Sequence, residues 1–220
     1  MKFRCEREIL AEALATAGRA ATSRTGTLPV LSGVRLDVND GELTVTGTDL
    51  ELTIRLSVPV HSDEDGSAVV PARLVADIVK ALPAGAVEVS VADEEMSISA
   101  GRSQFSVRPL SLSDYPAQVE PDAEPVTLTS DQVANSLRQV VRAASTDDAR
   151  AVLTGVLIAS EDDGLKMVAT DSYRLAVRDL PQSSMLAAGQ KVLVPGRALA
   201  ELQRILSDDD ELTVRLGARE

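Results

Sequence analysis

The feature that most constrains this chain is an internal repeat. Leu-Ser-Gly-Val begins at Leu31, and Leu-Thr-Gly-Val begins at Leu153. The Thr-Asp pair at 48–49 recurs at 170–171 with the same separation, and Val-Pro at 70–71 recurs at 194–195 with a slightly larger one. Short matches that keep their order and drift only between elements indicate a duplicated domain. The period far exceeds the ~20–50 residues of solenoid repeats, so each copy is predicted to build its own core.

The two copies define the domain organisation. We predict a first domain at 1–119, a linker at 120–125 and a second domain at 126–220. Prolines at 116, 121 and 125 interrupt helix and strand patterns between the copies. In the second copy the chain stops before counterparts of 97–109 would occur. We therefore expect an N-terminal portion of a longer protein, with an open sheet edge in the second domain.

Hydrophobic periodicity predicts the same order of elements in both copies. Each reads as a strand, a helix, a three-stranded meander, a short strand, a second helix and further strands. Ser130 is expected to cap the third helix, and 61–66 is expected to form an acidic surface loop. The predicted helical segments are 7–24, 71–82, 131–146 and 195–206. The fold class is therefore α+β, a duplicated domain whose two helices pack on one face of an antiparallel sheet.

Charge is distributed unevenly between these elements. The chain has 22 basic and 34 acidic residues, a formal charge of −12, which taken alone argues against nucleic-acid binding. Within the four helical segments, however, basic residues outnumber acidic ones. One interpretation is that late-helix Arg and Lys complement the helix dipole. The other places the helices on a surface that faces a polyanion, without base stacking, because no aromatic residues interleave with the basic ones.

The chain lacks the residue combinations of common catalytic and cofactor sites. His61 is the single histidine, and no phosphate-loop or dinucleotide glycine motif is present. Cys5 is interpreted as a small core residue. Clusters at 162–163 and 208–210 are interpreted as turns rather than cation sites, and Asp49 and Asp171 as caps of tight strand connections. We therefore expect no cofactor, no metal and no enzymatic activity.

The sequence shows neither the pattern of a membrane span nor that of a signal peptide. No apolar run approaches the ~20 residues of a membrane span, and Met1 leads directly into strand-like sequence without a signal-peptide h-region. The single cysteine fits a reducing compartment. These patterns predict a cytoplasmic protein without membrane contact.

Several strings resemble one family across nearly the whole chain. They are Met-Lys-Phe at the start, Thr-Gly-Thr-Asp-Leu-Glu at 46–51, Val-Pro-Ala-Arg at 70–73, Gly-Arg-Ser at 101–103 and Ala-Thr-Asp-x-x-Arg-Leu-Ala-Val at 169–177. The chain resembles the bacterial sliding clamp, the beta subunit of DNA polymerase III, from an actinobacteria-like source. The resemblance implies DNA-clamp domains in a head-to-tail homodimeric ring of three domains per subunit, with helices lining the hole. The third domain would be absent from this chain.

The resemblance also implies three sets of site residues. The dimer edge would include Arg102 and Phe105. Half of a hydrophobic peptide pocket would comprise Leu153, Thr170, Ser172, Tyr173, Arg174 and Leu175, with Ser172-Tyr173 where family members have Gly-His. The DNA-facing residues would be Arg24, Arg73, Arg138, Arg142, Arg150 and Arg197.

The implied function is that of a DNA polymerase processivity factor without catalytic activity. Its partners would be duplex DNA, held topologically and without sequence preference, the replicative polymerase, the clamp loader and other proteins with a clamp-binding motif. The alternative is a non-catalytic β-rich interaction module that does not encircle DNA. The two differ in whether arginines are sorted onto helical surfaces.

Overall fold

A computed structural model describes residues 1–21, 28–92, 94–117, 125–161, 164–181, 186, 189–206 and 211–215. The chain divides into two compact units, Met1–Ala117 and Gln118–Glu220. They are called unit 1 and unit 2 below.

Unit 1 combines two helices with two antiparallel sheets. The helices are α1 (Arg7–Ala17) and α2 (Ala72–Ala81). The strands are β1 (Lys2–Glu6), β2 (Gly33–Asn39), β3 (Glu42–Thr48), β4 (Thr53–Pro59), β5 (His61–Glu64), β6 (Gly66–Pro71), β7 (Ala86–Ala92), β8 (Glu95–Ala100) and β9 (Ser103–Val107). One sheet has the order β5-β1-β7-β8-β9, and the other has the order β4-β3-β2-β6.

Unit 2 repeats this plan over its described residues. The helices are α3 (Ser130–Val140) and α4 (Gly196–Ile205). The strands are β10 (Val126–Thr129), β11 (Gly155–Glu161), β12 (Gly164–Thr170), β13 (Leu175–Pro181), β14 (Lys191–Pro195) and β15 (Glu211–Val214). They form a sheet in the order β13-β12-β11-β14 and an antiparallel pair of β10 with β15. The predicted α+β class is confirmed, and the strands of each unit are divided between two sheets.

The helices form because their apolar residues recur at helical spacing and are buried. In α2, Ala72, Val75, Ala76 and Val79 face the core, and Pro71 precedes the first turn, where a missing N–H costs little. These residues join one hydrophobic cluster with both sheets of unit 1. Unit 2 has an equivalent cluster around α3 and α4.

One glycine is required by the packing of α1 on its sheet. A Cβ built at Gly47 in β3 would lie 2.0 Å from the carbonyl oxygen of Ala17, at the end of α1. No side chain fits that distance, so glycine allows the helix end to approach the strand.

Three local expectations differ from the structure. Residues 61–66 are not a loop, because His61–Glu64 forms edge strand β5 paired with β1. Ser130 does not cap α3 but is its first residue, and Thr129 holds the cap position. Helix α1 ends at Ala17, short of the end predicted at 24. The two turns predicted at 162–163 and 208–210 lie outside the described residues.

Candidate functional site

The turn that joins β12 to β13 carries most of the predicted pocket residues. Asp171 organises this turn, because its Oδ1 accepts hydrogen bonds from the backbone N–H groups of Tyr173 and Arg174, each at 3.0 Å. The hydroxyl of Thr170 donates to the carbonyl oxygen of Arg174 at 2.7 Å. Ser172 has a φ of 78°, in the left-handed region. These local hydrogen bonds define the backbone of the turn.

Electrostatics also favour the ionised form of Asp171. The backbone N–H of Tyr173 and then that of Arg174 lower the pKa of its carboxyl below the ordinary value. The Arg174 guanidinium Nε, 3.0 Å from Oδ2, acts in the same direction. Hydrogen bonds to a carboxylate stabilise its charged form. The form of Asp171 that accepts these hydrogen bonds is therefore the favoured one at neutral pH.

The turn presents apolar surface to solvent. The side chains of Tyr173 and Leu175 are 94% and 66% exposed, and Val177 is exposed further along β13. Leu153, the last residue of a 3₁₀ turn at Asp148–Leu153, is half-buried. Large exposed aliphatic and aromatic groups beside a few polar ones are typical of a surface that binds a short peptide.

Arg150 links the segment carrying Leu153 to this turn. Its Nη1 donates to the carbonyl oxygen of Asp171 at 3.3 Å and lies 3.4 Å from Ser172 Oγ. Its Nε donates to Asp147 Oδ2 at 3.1 Å. The family resemblance had implied only a DNA-facing role for Arg150. Its contact with Asp171 joins residues far apart in the sequence, so no local sequence pattern predicts it.

Two of the predicted DNA-facing arginines occupy equivalent places in the two units. Arg73 and Arg197 are the second residues of α2 and α4, and both are exposed. A cation near a helix N-terminus opposes the helix dipole, so dipole compensation does not explain these two residues. It does explain Lys80 and Arg204, which lie in the last turns of the same helices.

The other predicted DNA-facing arginines have varied surroundings. Arg138 is exposed near the end of α3, where its Nη1 donates to Asn135 Oδ1 at 3.1 Å. Arg142 is exposed in the 3₁₀ turn that follows. Arg24 lies outside the described residues.

The predicted dimer-edge residues lie at one edge of a sheet. Phe105 is in β9, the last strand of the five-stranded sheet, and is 41% exposed. Arg102 is exposed in the turn that leads into β9. An edge strand with an exposed aromatic residue can pair with a strand of another chain.

The described residues contain no cluster of three or more His, Cys, Asp or Glu side chains that could hold a metal ion. Burial raises the pKa of the Cys5 thiol, as expected for a core residue. Within the same described part, no helix has the length and hydropathy needed to cross a membrane.

Comparison with known proteins decides the family. The model of the DNA polymerase III beta subunit N-terminal domain matches residues 1–119, and that of its central domain matches 127–220. The chain belongs to the DNA polymerase III beta subunit family. The beta sliding clamp of Streptomyces coelicolor is 36% identical over 220 residues, which covers 99% of this chain and 58% of that protein. A Staphylococcus aureus beta sliding clamp is also 36% identical and is likewise matched over 58% of its length.

Solved beta-subunit structures agree with this assignment. The Bacillus subtilis sliding clamp superimposes with a TM-score of 0.92 at 31% identity, covering 99% of this chain and 60% of that one. The Pseudomonas aeruginosa beta subunit gives a TM-score of 0.90 at 32% identity, with 99% and 60% covered. The clamp fold predicted from the sequence is confirmed. The chain spans somewhat more than half the length of these family members.

Proposed function

We propose that this chain acts as part of a sliding clamp, a processivity factor that encircles duplex DNA and tethers the replicative polymerase and the clamp loader. The observation that carries the peptide-binding part of the proposal is the turn at 171–174, where Asp171 holds the backbone while Tyr173 and Leu175 remain exposed. The S. coelicolor and S. aureus relatives are named beta sliding clamps.

The peptide site is proposed to use apolar and polar groups together. Leu153 and Leu175 supply the apolar floor, Thr170, Ser172 and Arg174 supply polar anchors, and Tyr173 offers a ring face and a hydroxyl. Burying a leucine-sized anchor contributes ~1.5–3 kcal/mol. A clamp-binding motif with leucine and phenylalanine anchors suits this surface, and this chain supplies one wall of the site.

DNA is proposed to lie near the helices. Arg73 and Arg197 lie at helix N-termini, where the helix dipole disfavours a cation. Contacts with DNA phosphates would offset this cost. Arg24, Arg138, Arg142 and Arg150 are proposed to contribute in the same way. Few contacts are expected, because a ring retains DNA by topology rather than by affinity.

The domain organisation, the subunit interface and the location of the chain follow from this role. The domain boundaries stay at 1–119, 120–125 and 126–220, and β9 with Arg102 and Phe105 is the edge that joins a second subunit. Chemistry is left to the polymerase, so the chain is not an enzyme. A protein that encircles the bacterial chromosome acts in the cytoplasm, so we expect the chain there.

The test titrates the chain into a labelled Gln-Leu-x-Leu-Phe peptide. Binding is measured by the fluorescence anisotropy of the peptide. Leu175→Ala is expected to weaken binding about tenfold or more, because it removes one apolar anchor. Ile205→Ala, which truncates an aliphatic residue of α4 with 45% exposure, is the matched control and should bind normally. Equal binding by the chain and Leu175→Ala would refute the assignment of this pocket.

The β-rich interaction module remains the second candidate, because the exposed turn alone would serve it equally well. It requires no role for Arg73 and Arg197. Loss of DNA binding in variants at these residues separates the two functions.

A further inference from the structure

Two segments of unit 2 carry the apolar residues of the proposed peptide site, and local hydrogen bonds shape each of them. The 3₁₀ turn at Asp148–Leu153 is anchored by Ser145, whose backbone N–H donates to the carbonyl oxygen of Leu153 at 2.8 Å. The side chain of Asp147 caps the start of this 3₁₀ turn. Bonds within the strand connection shape the turn at 171–174. These bonds act inside each segment and do not join one segment to the other.

The side chain of Arg150 makes that connection. Its Nε donates to Asp147 Oδ2 at 3.1 Å, which holds the guanidinium on its own segment. Its Nη1 reaches the other segment, where it donates to the carbonyl oxygen of Asp171 at 3.3 Å and lies 3.4 Å from Ser172 Oγ. A planar guanidinium with several donors in fixed directions suits such a bridge, whereas a lysine ammonium is a single charged centre on a flexible stem.

The pair of residues that makes this contact is not repeated in unit 1. At the separation that relates the two Thr-Asp pairs, Arg150 corresponds to Leu28 and Ser172 corresponds to Leu50. Both leucines are exposed, and a leucine side chain has no hydrogen-bonding group. Unit 1 nevertheless forms the same turn around Asp49. The arginine–serine pair is therefore dispensable for folding the turn, and it occurs in the unit that carries the proposed peptide site.

Ser172 contributes to the connection at a position where its backbone is unfavourable. Its φ of 78° lies in the left-handed region, which glycine adopts more readily than serine. The serine hydroxyl, however, gives Arg150 an acceptor that glycine would lack. The side chains of Arg150 and Asp147 are 41% and 52% exposed, so solvent screens their interaction and its effect on binding should be moderate.

We propose that Arg150 is a positioning residue of the peptide site. It restrains the turn that carries Tyr173 and Leu175 relative to the segment that carries Leu153, so that the apolar groups are ordered before a peptide arrives. A site that is ordered in advance loses less conformational freedom on binding, and its affinity is higher for that reason. This role rests on the peptide site of the proposed function and adds how that site is held without its partner.

Amide hydrogen exchange of the chain without peptide, measured by NMR, tests the positioning directly. We expect Arg150→Ala and Arg150→Lys to speed exchange at Tyr173 and Arg174 about three- to tenfold, because the turn loses its link to the 3₁₀ turn. The equivalent turn of unit 1 is the internal reference and should not change. Arg178→Lys, at an exposed arginine of β13, is the matched control and should leave the rates of both turns unchanged.

The affinity for the labelled Gln-Leu-x-Leu-Phe peptide, measured by anisotropy, tests the consequence. Both Arg150 variants should bind about three- to tenfold more weakly than the unmodified chain, because lysine keeps the charge but loses the planar fork. Arg150→Ala should weaken binding less in a Ser172→Gly background, where one of its two contacts with the turn is already gone. Leu175→Ala should weaken binding without faster exchange, which separates a residue that touches the peptide from one that positions the site.

The outcomes separate the positioning role from the peptide site itself. If the unmodified chain does not bind the peptide, or if Leu175→Ala binds equally well, the peptide site is refuted and the role of Arg150 in it falls too. If Leu175→Ala does weaken binding, three results would overturn the positioning role alone. They are unchanged exchange in Arg150→Ala, faster exchange without loss of affinity, and normal behaviour of Arg150→Lys. Loss of affinity with unchanged exchange would show that Arg150 touches the peptide instead.

Discussion

Leu50 and Ser172 share the same left-handed backbone conformation, each with a φ of 78°, in equivalent turns of the two units. In unit 1, Asp49 Oδ1 accepts from the N–H groups of Glu51 and Leu52, just as Asp171 does in unit 2. The turn is therefore part of the duplicated fold. What distinguishes unit 2 is the set of side chains that the turn presents, with Tyr173 and Leu175 in place of Glu51 and Thr53.

Replacing Leu50, the residue of unit 1 with left-handed backbone, by glycine should stabilise the fold. Leu50 is 53% exposed, so Leu50→Gly loses little burial while relieving backbone strain. We expect the free energy of unfolding to rise by about 0.5–1 kcal/mol in urea denaturation. Glu51→Gly, one residue along, is the control and should give no increase. A lower stability for Leu50→Gly than for Glu51→Gly would contradict the strain argument.

The turn at 171–174 should depend on pH through Asp171. Its pKa is lowered in the folded chain, so the stabilisation is present above the ordinary value of 3.8 and is lost as pH falls through the lower folded value. NMR titration of the amide protons of Tyr173 and Arg174 measures this transition. In Asp171→Asn these protons should lose the dependence. A midpoint at or above 3.8 would show that the backbone hydrogen bonds do not stabilise the carboxylate.

Tyr115, which packs on β3, should stabilise unit 1 until its phenol ionises at alkaline pH. Burial raises the pKa of Tyr115 to about 12, so the unfolded chain loses its phenol proton first. Stability should therefore fall as pH rises from the ordinary value of 10.0 toward 12. Phenolate absorbance should show a late phase that Tyr115→Phe removes. The same substitution should lower the free energy of unfolding by about 1 kcal/mol, because it leaves the Thr46 carbonyl without this donor.

Arginine variants at helix starts should separate DNA binding from stability. Removing Arg73 relieves an unfavourable interaction with the dipole of α2, so stability should stay level or rise slightly. Binding to linear duplex DNA should weaken, and the salt slope should shrink by about 0.9 for each lost phosphate contact. Arg204→Gln, in the last turn of α4, is the control. A slope steeper than about −6 for the unmodified chain would indicate a conventional DNA-binding protein.

The sequence by itself determined the parts of this protein that depend on contiguous residues. Helix spacing predicted the buried faces of α1 to α4, and the Thr-Asp repeat identified both capped turns. Local propensity and local hydrogen bonds are sufficient for each of these, so a linear pattern carries the information.

Only the tertiary structure decided the features that join distant residues. It divided the strands between two sheets, paired acidic β5 with β1, and placed Arg150 against the turn at Asp171. It also packed Tyr115 on β3, where the tyrosine hydroxyl donates to the carbonyl oxygen of Thr46. Backbone hydrogen bonds between strands do not depend on side-chain type, and a single contact across many residues leaves no periodic trace. The chain's pattern therefore predicts which surfaces are apolar, and the fold decides which of them are covered.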